Sequence, residues 1–133
     1  MGKIIRNKYA MEYRKDKDLF FLKVWDVFPQ EEAKNFLTDY KYETKKFDAD
    51  DTSFVIDFRS LASIKPDFKP MLVKFIKLYM TLPYKYIIFL KSNSSTCNDT
   101  IKSAMKEGGM VYGKDAIFLD DMNAVNQLIT MYV

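Results

Sequence analysis

The residues that could carry out acid–base or metal chemistry in this chain are almost all carboxylates, because the sequence contains no histidine and one cysteine, Cys97. Without histidine, the Ser-His-Asp and Cys-His nucleophile systems and histidine-based metal sites are excluded. A single cysteine also excludes a Cys-x-x-Cys zinc or redox site. Neither the Gly-x-Gly-x-x-Gly nor the Gly-x-x-x-x-Gly-Lys-Ser/Thr motif occurs, so these modes of nucleotide binding are unsupported. We therefore expect a protein that is not an enzyme and that has no cofactor.

The remaining carboxylates form two groups, Asp48, Asp50 and Asp51 in one and Asp120 and Asp121 in the other. The first group could hold a hard cation, but it lacks the spacing, the glycine and the distal glutamate of an EF-hand. The alternative is a solvated loop for the first group and a helix cap for the second. We favour the loop and the cap, and we predict no metal site.

A polar segment, Ser92–Thr96, precedes a predicted helix and has two interpretations. Its hydroxyl groups and the helix amides could bind a phosphate, or the segment could form a turn that caps the helix. The turn is favoured. Cys97 at the start of this helix could have a lowered thiol pKa, but an inert or partly buried thiol is the favoured interpretation.

Basic residues near the N-terminus alternate with tyrosines, a pattern that can accompany nucleic-acid binding. The basic residues are Lys3, Arg6, Lys8, Arg14, Lys15 and Lys17, and the tyrosines are Tyr9 and Tyr13. Glu12, Asp16 and Asp18 interrupt this positive field, and the formal net charge of the chain is only +3. We therefore do not expect a nucleic-acid partner, and we expect the tyrosines to pack in the core.

The length of 133 residues is that of one ordinary domain, so we predict a single domain over residues 1–133. No apolar stretch approaches the ~20 residues that cross a bilayer, which predicts no membrane partner. The first residues lack the apolar stretch and cleavage site of a secretion signal, and a single cysteine fits a reducing compartment. The expected location is the cytoplasm.

Patterns of apolar residues predict five strands and four helices. An antiparallel hairpin is predicted from Ile4–Arg14 and Leu19–Phe28, with the first strand at the edge of the sheet. Pro29 at position N1 begins the first helix, whose apolar residues are Ala33, Phe36, Leu37, Tyr40 and Phe47. The later strands are predicted over Ser53–Phe58, Tyr84–Leu90 and Ala116–Leu119, and the later helices over Pro66–Thr81, Asn98–Glu107 and the segment after Asp120 or Asp121.

Helices alternate with the later strands, so these strands are expected to lie parallel. The last helix has a stripe formed by Met122, Val125, Leu128, Ile129 and Tyr132. The predicted fold class is α/β, with a single mixed, mostly parallel sheet of about five strands. It has an antiparallel N-terminal edge strand and is covered by about four helices.

This order of elements resembles the STAS domain, a family of sulfate-transporter and anti-sigma factor antagonist domains. The segment from Phe54–Phe58 through Leu61–Ile64 is similar to the buried strand and turn of that family, and Ile117–Asp121 with Ala124 and Val125 is similar to its last strand and helix. Family members that act as anti-sigma factor antagonists carry an Asp-Ser-Ser-Gly-like loop with a phosphorylatable serine. The resemblance implies a protein partner, such as an anti-sigma-type kinase or a stressosome-like assembly.

At the position of the phosphorylatable loop this chain has Lys65, Pro66, Asp67 and Phe68, with no hydroxyl group and no following glycine. The resemblance places Asp67 where a phosphoserine would be, as a fixed carboxylate at a helix N-terminus. The alternative, which cap preferences favour, is that Pro66 and Asp67 are ordinary first-turn residues.

In an open α/β sheet, partners bind at the carboxyl ends of the strands. We therefore predict a docking rim that contains the loop Lys65–Phe68, with further contacts from Asp26, Gln30, Ser94, Ser95 and Asn98. The favoured function is a non-catalytic protein–protein interaction module. One alternative is a small-molecule or lipid binder with an apolar pocket under the second helix. The other alternative is a structural or assembly protein, for example one encoded by a phage. The oligomeric state stays open.

Overall fold

The computed structural model describes residues 3–27 and 30–131, apart from the side chain of Met131. In this part of the chain, six strands form one sheet: β1 (Lys3–Ile5), β2 (Tyr9–Arg14), β3 (Leu19–Val24), β4 (Ser53–Asp57), β5 (Tyr86–Leu90) and β6 (Ile117–Leu119). The α-helices of the same part are α1 (Gln30–Thr44), α2 (Lys69–Tyr79), α3 (Ser95–Glu107) and α4 (Met122–Met131). The predicted α/β class with a mixed sheet is confirmed.

The strands lie in the sheet in the same order as in the sequence. The pairs β1–β2 and β2–β3 are antiparallel, and the pairs β3–β4, β4–β5 and β5–β6 are parallel. Each parallel pair is connected through a helix, as expected for crossover connections. The prediction of parallel later strands with an antiparallel N-terminal edge is therefore confirmed.

The prediction of about five strands is one short, because the segment Ile4–Arg14 forms two strands instead of one. The chain turns after β1, where the amide of Arg6 donates to the carbonyl of Tyr9 at 2.8 Å. The indole of Trp25 also donates to the carbonyl of Asn7 at 2.7 Å and fixes the same turn. The edge strand is therefore the short β1, and β2 lies inside the sheet.

Several element ends differ from the predicted ones. The residues Pro66–Phe68 form a separate 3-10 turn before α2, and α1 ends before Phe47. Helix α3 begins three residues earlier than predicted, at Ser95, because the side chain of Ser94 caps it. The predicted end of the second strand at Phe28, the predicted helix start at Pro29 and the predicted stripe residue Tyr132 lie outside the described residues.

The helices cover the two faces of the sheet unequally. One core cluster contains buried residues of α1, α2 and α3, so these helices share one face, here called the three-helix face. Sequential strands joined by right-handed crossovers place their helices on the same side of a sheet. The other face is covered by α4, where Val125 packs with Leu19, Val55, Ile88 and Leu90. Strands β4 and β5 are therefore buried on both faces, which explains the continuous apolar residues 54–56 of β4 and 86–90 of β5.

Aromatic rings fill the space between α1, α2 and β4 on the three-helix face. The ring centroids of Phe36 and Phe75 are 4.5 Å apart, and those of Phe54 and Tyr79 are 4.9 Å apart. The hydroxyl groups of Tyr40 and Tyr84 form a hydrogen bond of 2.6 Å at the border of this cluster. The underside of α2 is therefore packed with rings.

Candidate functional site

The loops that follow β3 and β4 meet at the carboxyl ends of the parallel strands and form a cleft of about 530 Å³, here called the rim cleft. It is lined by Lys8, Asp26, Val27, Gln30, Lys65, Asp67, Phe68 and Met71. Parallel strands joined by helices bring their carboxyl ends to one edge, so two consecutive loops become neighbours there.

Five of the predicted site residues lie together in the rim cleft: Asp26, Gln30, Lys65, Asp67 and Phe68. Pro66 does not line the cleft, but it begins the 3-10 turn that carries Asp67 and Phe68. Sequence reasoning missed Lys8, because the N-terminal segment was predicted to be one uninterrupted strand. The turn after β1 brings Lys8 to this edge, where its carbonyl accepts a hydrogen bond of 3.1 Å from the amide of Trp25.

Asp26 and Lys8 form an ion pair at one side of the cleft, with 2.9 Å between Asp26 Oδ2 and Lys8 Nζ. The other carboxylate oxygen of Asp26 accepts a hydrogen bond of 2.8 Å from the amide of Val27. The hydrogen bond from Lys8 is the main cause that lowers the pKa of Asp26, and the same bond raises the pKa of Lys8. Asp26 is therefore ionised at neutral pH and held in place.

Lys65 and Asp67 also line the cleft, and both are exposed. Within residues 3–27 and 30–131, neither side chain forms a salt bridge. The amide of Phe68 donates to the carbonyl of Lys65 at 2.9 Å and closes the 3-10 turn that presents Asp67. The positive end of this turn and of α2 favours a carboxylate at this position. This geometry fits both interpretations of Asp67, the fixed-charge mimic and the ordinary first-turn residue.

Apolar side chains form the floor of the cleft. Phe68 is only 7% exposed, and its ring lies edge-on to that of Phe75, with 6.4 Å between the centroids. Val27 and Met71 are half-buried beside it. The rim cleft thus combines exposed charges of both signs with an apolar floor.

The predicted contacts Ser94, Ser95 and Asn98 are not among the residues that line the rim cleft. Asn98 accepts a hydrogen bond of 2.9 Å from the amide of Ser92 and donates one of 2.8 Å to its carbonyl. Ser94 accepts a hydrogen bond of 3.2 Å from the amide of Cys97, and Ser95 is exposed at the first position of α3. Asn98 and Ser94 therefore hold the loop after β5 in place.

Ser92 connects this loop to the loop after β4. Its hydroxyl group donates to the carbonyl of Leu61 at 2.6 Å and accepts from the amide of Ser94 at 3.0 Å. Cys97 is 1% exposed, and burial raises the pKa of its thiol while a hydrogen bond with Ser92 lowers it in part. The thiol is therefore protonated at neutral pH, which agrees with the inert-thiol interpretation.

Other candidate residues lie apart from the rim cleft. Asp121 caps α4, because its carboxylate accepts a hydrogen bond of 2.9 Å from the amide of Ala124. Tyr9 is buried, and the ring of Tyr13 packs against that of Phe47 with 4.8 Å between centroids, so both tyrosines contribute to packing.

Among the residues that the structure describes, no three His, Cys, Asp or Glu side chains are grouped so that they could hold a metal ion. No helix of the described part is both long enough and apolar enough to cross a membrane.

Comparisons with family models, with curated proteins and with solved structures found no match to this chain.

Proposed function

We propose that this chain is a non-catalytic protein–protein interaction module and that it docks its partner through the rim cleft. The observation that carries the proposal is the joint placement of Asp26, Gln30, Lys65, Asp67 and Phe68 in one open cleft at the carboxyl ends of the strands.

The charges of the cleft favour a protein partner. One ion pair, between Lys8 and Asp26, is already formed, while Lys65 and Asp67 are exposed and have no salt bridge among the described residues. A protein surface can offer charges of both signs to this cleft, and complementary charges increase the rate and the specificity of association. The apolar floor around Phe68 can accept one anchoring side chain of the partner, which is where binding energy concentrates in interfaces.

The resemblance to the STAS family supports a partner of the anti-sigma-kinase type or a stressosome-like assembly. In this proposal Asp67 supplies a permanent negative charge where family members are switched by phosphorylation, and the protein acts in the cytoplasm. The missing serine means that binding is not toggled at this position.

Affinity capture from the source cells tests the docking site. The bait is the full chain, compared with the charge-swapped variant Lys65→Glu/Asp67→Lys. The matched control is Asp16→Lys/Lys17→Glu, a swap of two exposed residues in the turn before β3. We expect one specific protein to be retained by the wild type and by the control, and to be lost with the rim variant. Equal recovery of that protein with all three baits would contradict the proposal.

Two further variants, Asp67→Asn and Asp67→Glu, distinguish a role in partner recognition from an ordinary first-turn role. If its charge recognises the partner, Asp67→Asn weakens binding of the captured protein while Asp67→Glu retains it. If Asp67 is only a first-turn residue, both variants bind like the wild type, and only the thermal stability changes.

A small-molecule or lipid ligand is the second candidate, because the cleft volume of about 530 Å³ falls in the range of ligand sites and three apolar side chains line it. The rings under α2 pack against each other and fill the space there, so the rim cleft is the binding site in this alternative. Native mass spectrometry of the purified protein tests this candidate. A retained mass that is lost with Met71→Lys would support it, and a bare protein mass would contradict it.

A further inference from the structure

We propose that a second docking surface lies at the C-terminal end of α3, and that it binds an acidic segment of a protein partner anchored by apolar side chains. This surface is a groove of about 470 Å³, here called the α3 groove. Its lining includes Lys102, Met105, Lys106, Met110, Val111 and Tyr112. Helix α3 runs for 13 residues, or ~20 Å, from the loop after β5, and the groove lies at the other end of the helix.

The end of α3 determines the shape of the groove. Gly109 has a φ of +82°, a left-handed conformation that glycine adopts without strain. The amide of Met110 donates to the carbonyl of Met105 at 2.9 Å, and that of Gly109 donates to the carbonyl of Lys106 at 3.2 Å. This Schellman motif turns the side chain of Met110 into the core, where it is 3% exposed, and directs the chain outward at Val111.

Two large apolar side chains are exposed at this turn. Val111 is 52% exposed and Tyr112 is 60% exposed. Their loop is held by Asp115, whose carboxylate accepts a 2.7 Å hydrogen bond from the amide of Val111 and whose own amide donates to the carbonyl of Val111 at 2.8 Å. The ring of Tyr112 is stacked on that of Phe118, with 5.8 Å between centroids. The groove is therefore formed before any partner binds.

Positive charge borders the apolar groove on the side of α3. Lys102 and Lys106 are exposed and lie one helical turn apart, ~6 Å along the axis. Neither forms a salt bridge in the part of the chain that the structure describes, and the ammonium group of Lys102 lies 5.5 Å from the ring centroid of Phe118.

No carboxylate of the described residues forms a salt bridge with these lysines, including the exposed Asp99, which lies one helical turn before Lys102. Glu107 is held by a salt bridge to Lys69, and this bond lowers the pKa of Glu107. Asp115 is engaged by the amide of Val111. Two cations without a salt bridge beside an apolar groove are complementary to a partner that carries both carboxylates and apolar side chains.

The spacing of the two lysines favours a peptide over a lipid. Carboxylates at i and i+4 of a helix, or at i and i+2 of a strand, are ~6–7 Å apart and match the separation of Lys102 and Lys106. A fatty acid has one carboxylate, and a small ligand buries most of its surface in its site, whereas Val111 and Tyr112 of this groove are more than half exposed. Each exposed ion pair contributes little, so the apolar contacts with Val111 and Tyr112 supply most of the affinity and the lysines set the orientation.

Fluorescence anisotropy with the full chain tests the proposal. The probes are fluorescein-labelled peptides of about four helical turns, each with two leucines and two glutamates spaced at i, i+2 or at i, i+4. The matched probes carry glutamine in place of glutamate. The protein variants are Lys102→Glu/Lys106→Glu and Val111→Thr, and the control is Lys74→Glu/Lys77→Glu, which reverses two exposed lysines of α2. Thermal unfolding verifies that each variant is folded.

We expect at least one acidic peptide to bind to the wild type. Its affinity should fall about tenfold or more with Lys102→Glu/Lys106→Glu, and the matched glutamine peptide should bind the wild type about tenfold or more weakly. The control Lys74→Glu/Lys77→Glu should leave the affinity unchanged. Weaker binding at higher salt accompanies this result. The proposal is overturned if no acidic peptide binds with a dissociation constant below about 1 mM, or if both lysine variants weaken binding equally. Lysine-dependent binding of sodium decanoate without binding of any peptide also overturns it, in favour of a lipid carboxylate.

Discussion

Arg6 and Asp39 form a two-point ion pair, in which Nε and Nη2 of Arg6 donate to the two carboxylate oxygens of Asp39 at 2.9 and 2.8 Å. The hydroxyl group of Tyr9 donates to the same carboxylate at 2.7 Å. The side chain of Asp39 is 7% exposed and lies on α1, whereas Arg6 lies in the turn between β1 and β2. This carboxylate therefore attaches the edge of the sheet to the first helix.

Replacing Asp39 with Asn removes the charge that Arg6 and Tyr9 contact. Hydrogen bonds to a charged group contribute about 1.5–3 kcal/mol, so we expect the free energy of unfolding to fall by about 2 kcal/mol, measured by urea denaturation. The control is Asp26→Asn, which breaks an exposed ion pair with Lys8 and should cost less than about 1 kcal/mol. Equal losses of unfolding free energy for the two variants would show that the buried ion pair contributes no more to stability than the exposed one.

The same carboxylate makes stability depend on pH. Burial raises the pKa of Asp39, but the hydrogen bonds from Arg6 and Tyr9 outweigh it and lower the pKa below its ordinary value. A pKa that is lower in the folded state gives stability that is present above the unfolded value of about 4 and is lost as the pH falls through the folded value. The difference in Tm between the wild type and Asp39→Asn should therefore shrink below about pH 4. A difference that stays constant down to about pH 2 would contradict this assignment.

The hydrogen bond of 2.6 Å between the hydroxyl groups of Tyr40 and Tyr84 gives a test by double-mutant cycle. Tyr40 is only 2% exposed, so Tyr84→Phe leaves a buried hydroxyl group without this partner. We expect this variant to lose about 1–2 kcal/mol of unfolding free energy. Because the Tyr40→Phe/Tyr84→Phe double variant has neither hydroxyl group, its loss should be smaller than the sum of the single losses. Strict additivity would show that the two groups are not coupled.

Ser92 offers a test of how the loops at the rim are held. Its hydroxyl group connects the carbonyl of Leu61 with the amide of Ser94, so Ser92→Ala breaks two hydrogen bonds at once. We expect faster amide hydrogen exchange at Ser94 and a loss of about 1–2 kcal/mol in unfolding free energy. Ser63→Ala, at an exposed position of the loop after β4, is the control and should change neither quantity. Unchanged exchange at Ser94 would show that Asn98 alone fixes the loop.

The buried parallel strands were predictable because apolar residues occupy successive positions in them, as burial on both faces requires. The predicted segment Ser53–Phe58 contains all of β4, and Tyr84–Leu90 contains all of β5. The break between β1 and β2 was not predictable from local pattern. It depends in part on the contact of Arg6 with Asp39, which is 33 residues away in the sequence.

The candidate site was predicted in part, because one general rule places the strand ends together. Asp26 and Asp67 meet in the rim cleft as expected from the carboxyl-end rule. Ser94 and Asn98 do not line the cleft, since their side chains form hydrogen bonds with the nearby backbone. The α3 groove was not predicted, because the exposure of Val111 and Tyr112 depends on the Schellman turn and has no periodic pattern.

The sequential order of the strands has a consequence for how the chain folds. Each strand of the described sheet after β1 pairs with the strand that precedes it along the chain, so no strand has to be inserted between two others that are already paired. Only the antiparallel pairs close short loops, whereas each parallel pair joins residues about 30 positions apart, and pairing of this kind slows folding. The neighbour order still lets the sheet grow from one side as the polypeptide emerges from the ribosome, because each new strand pairs with a strand that has already been synthesised.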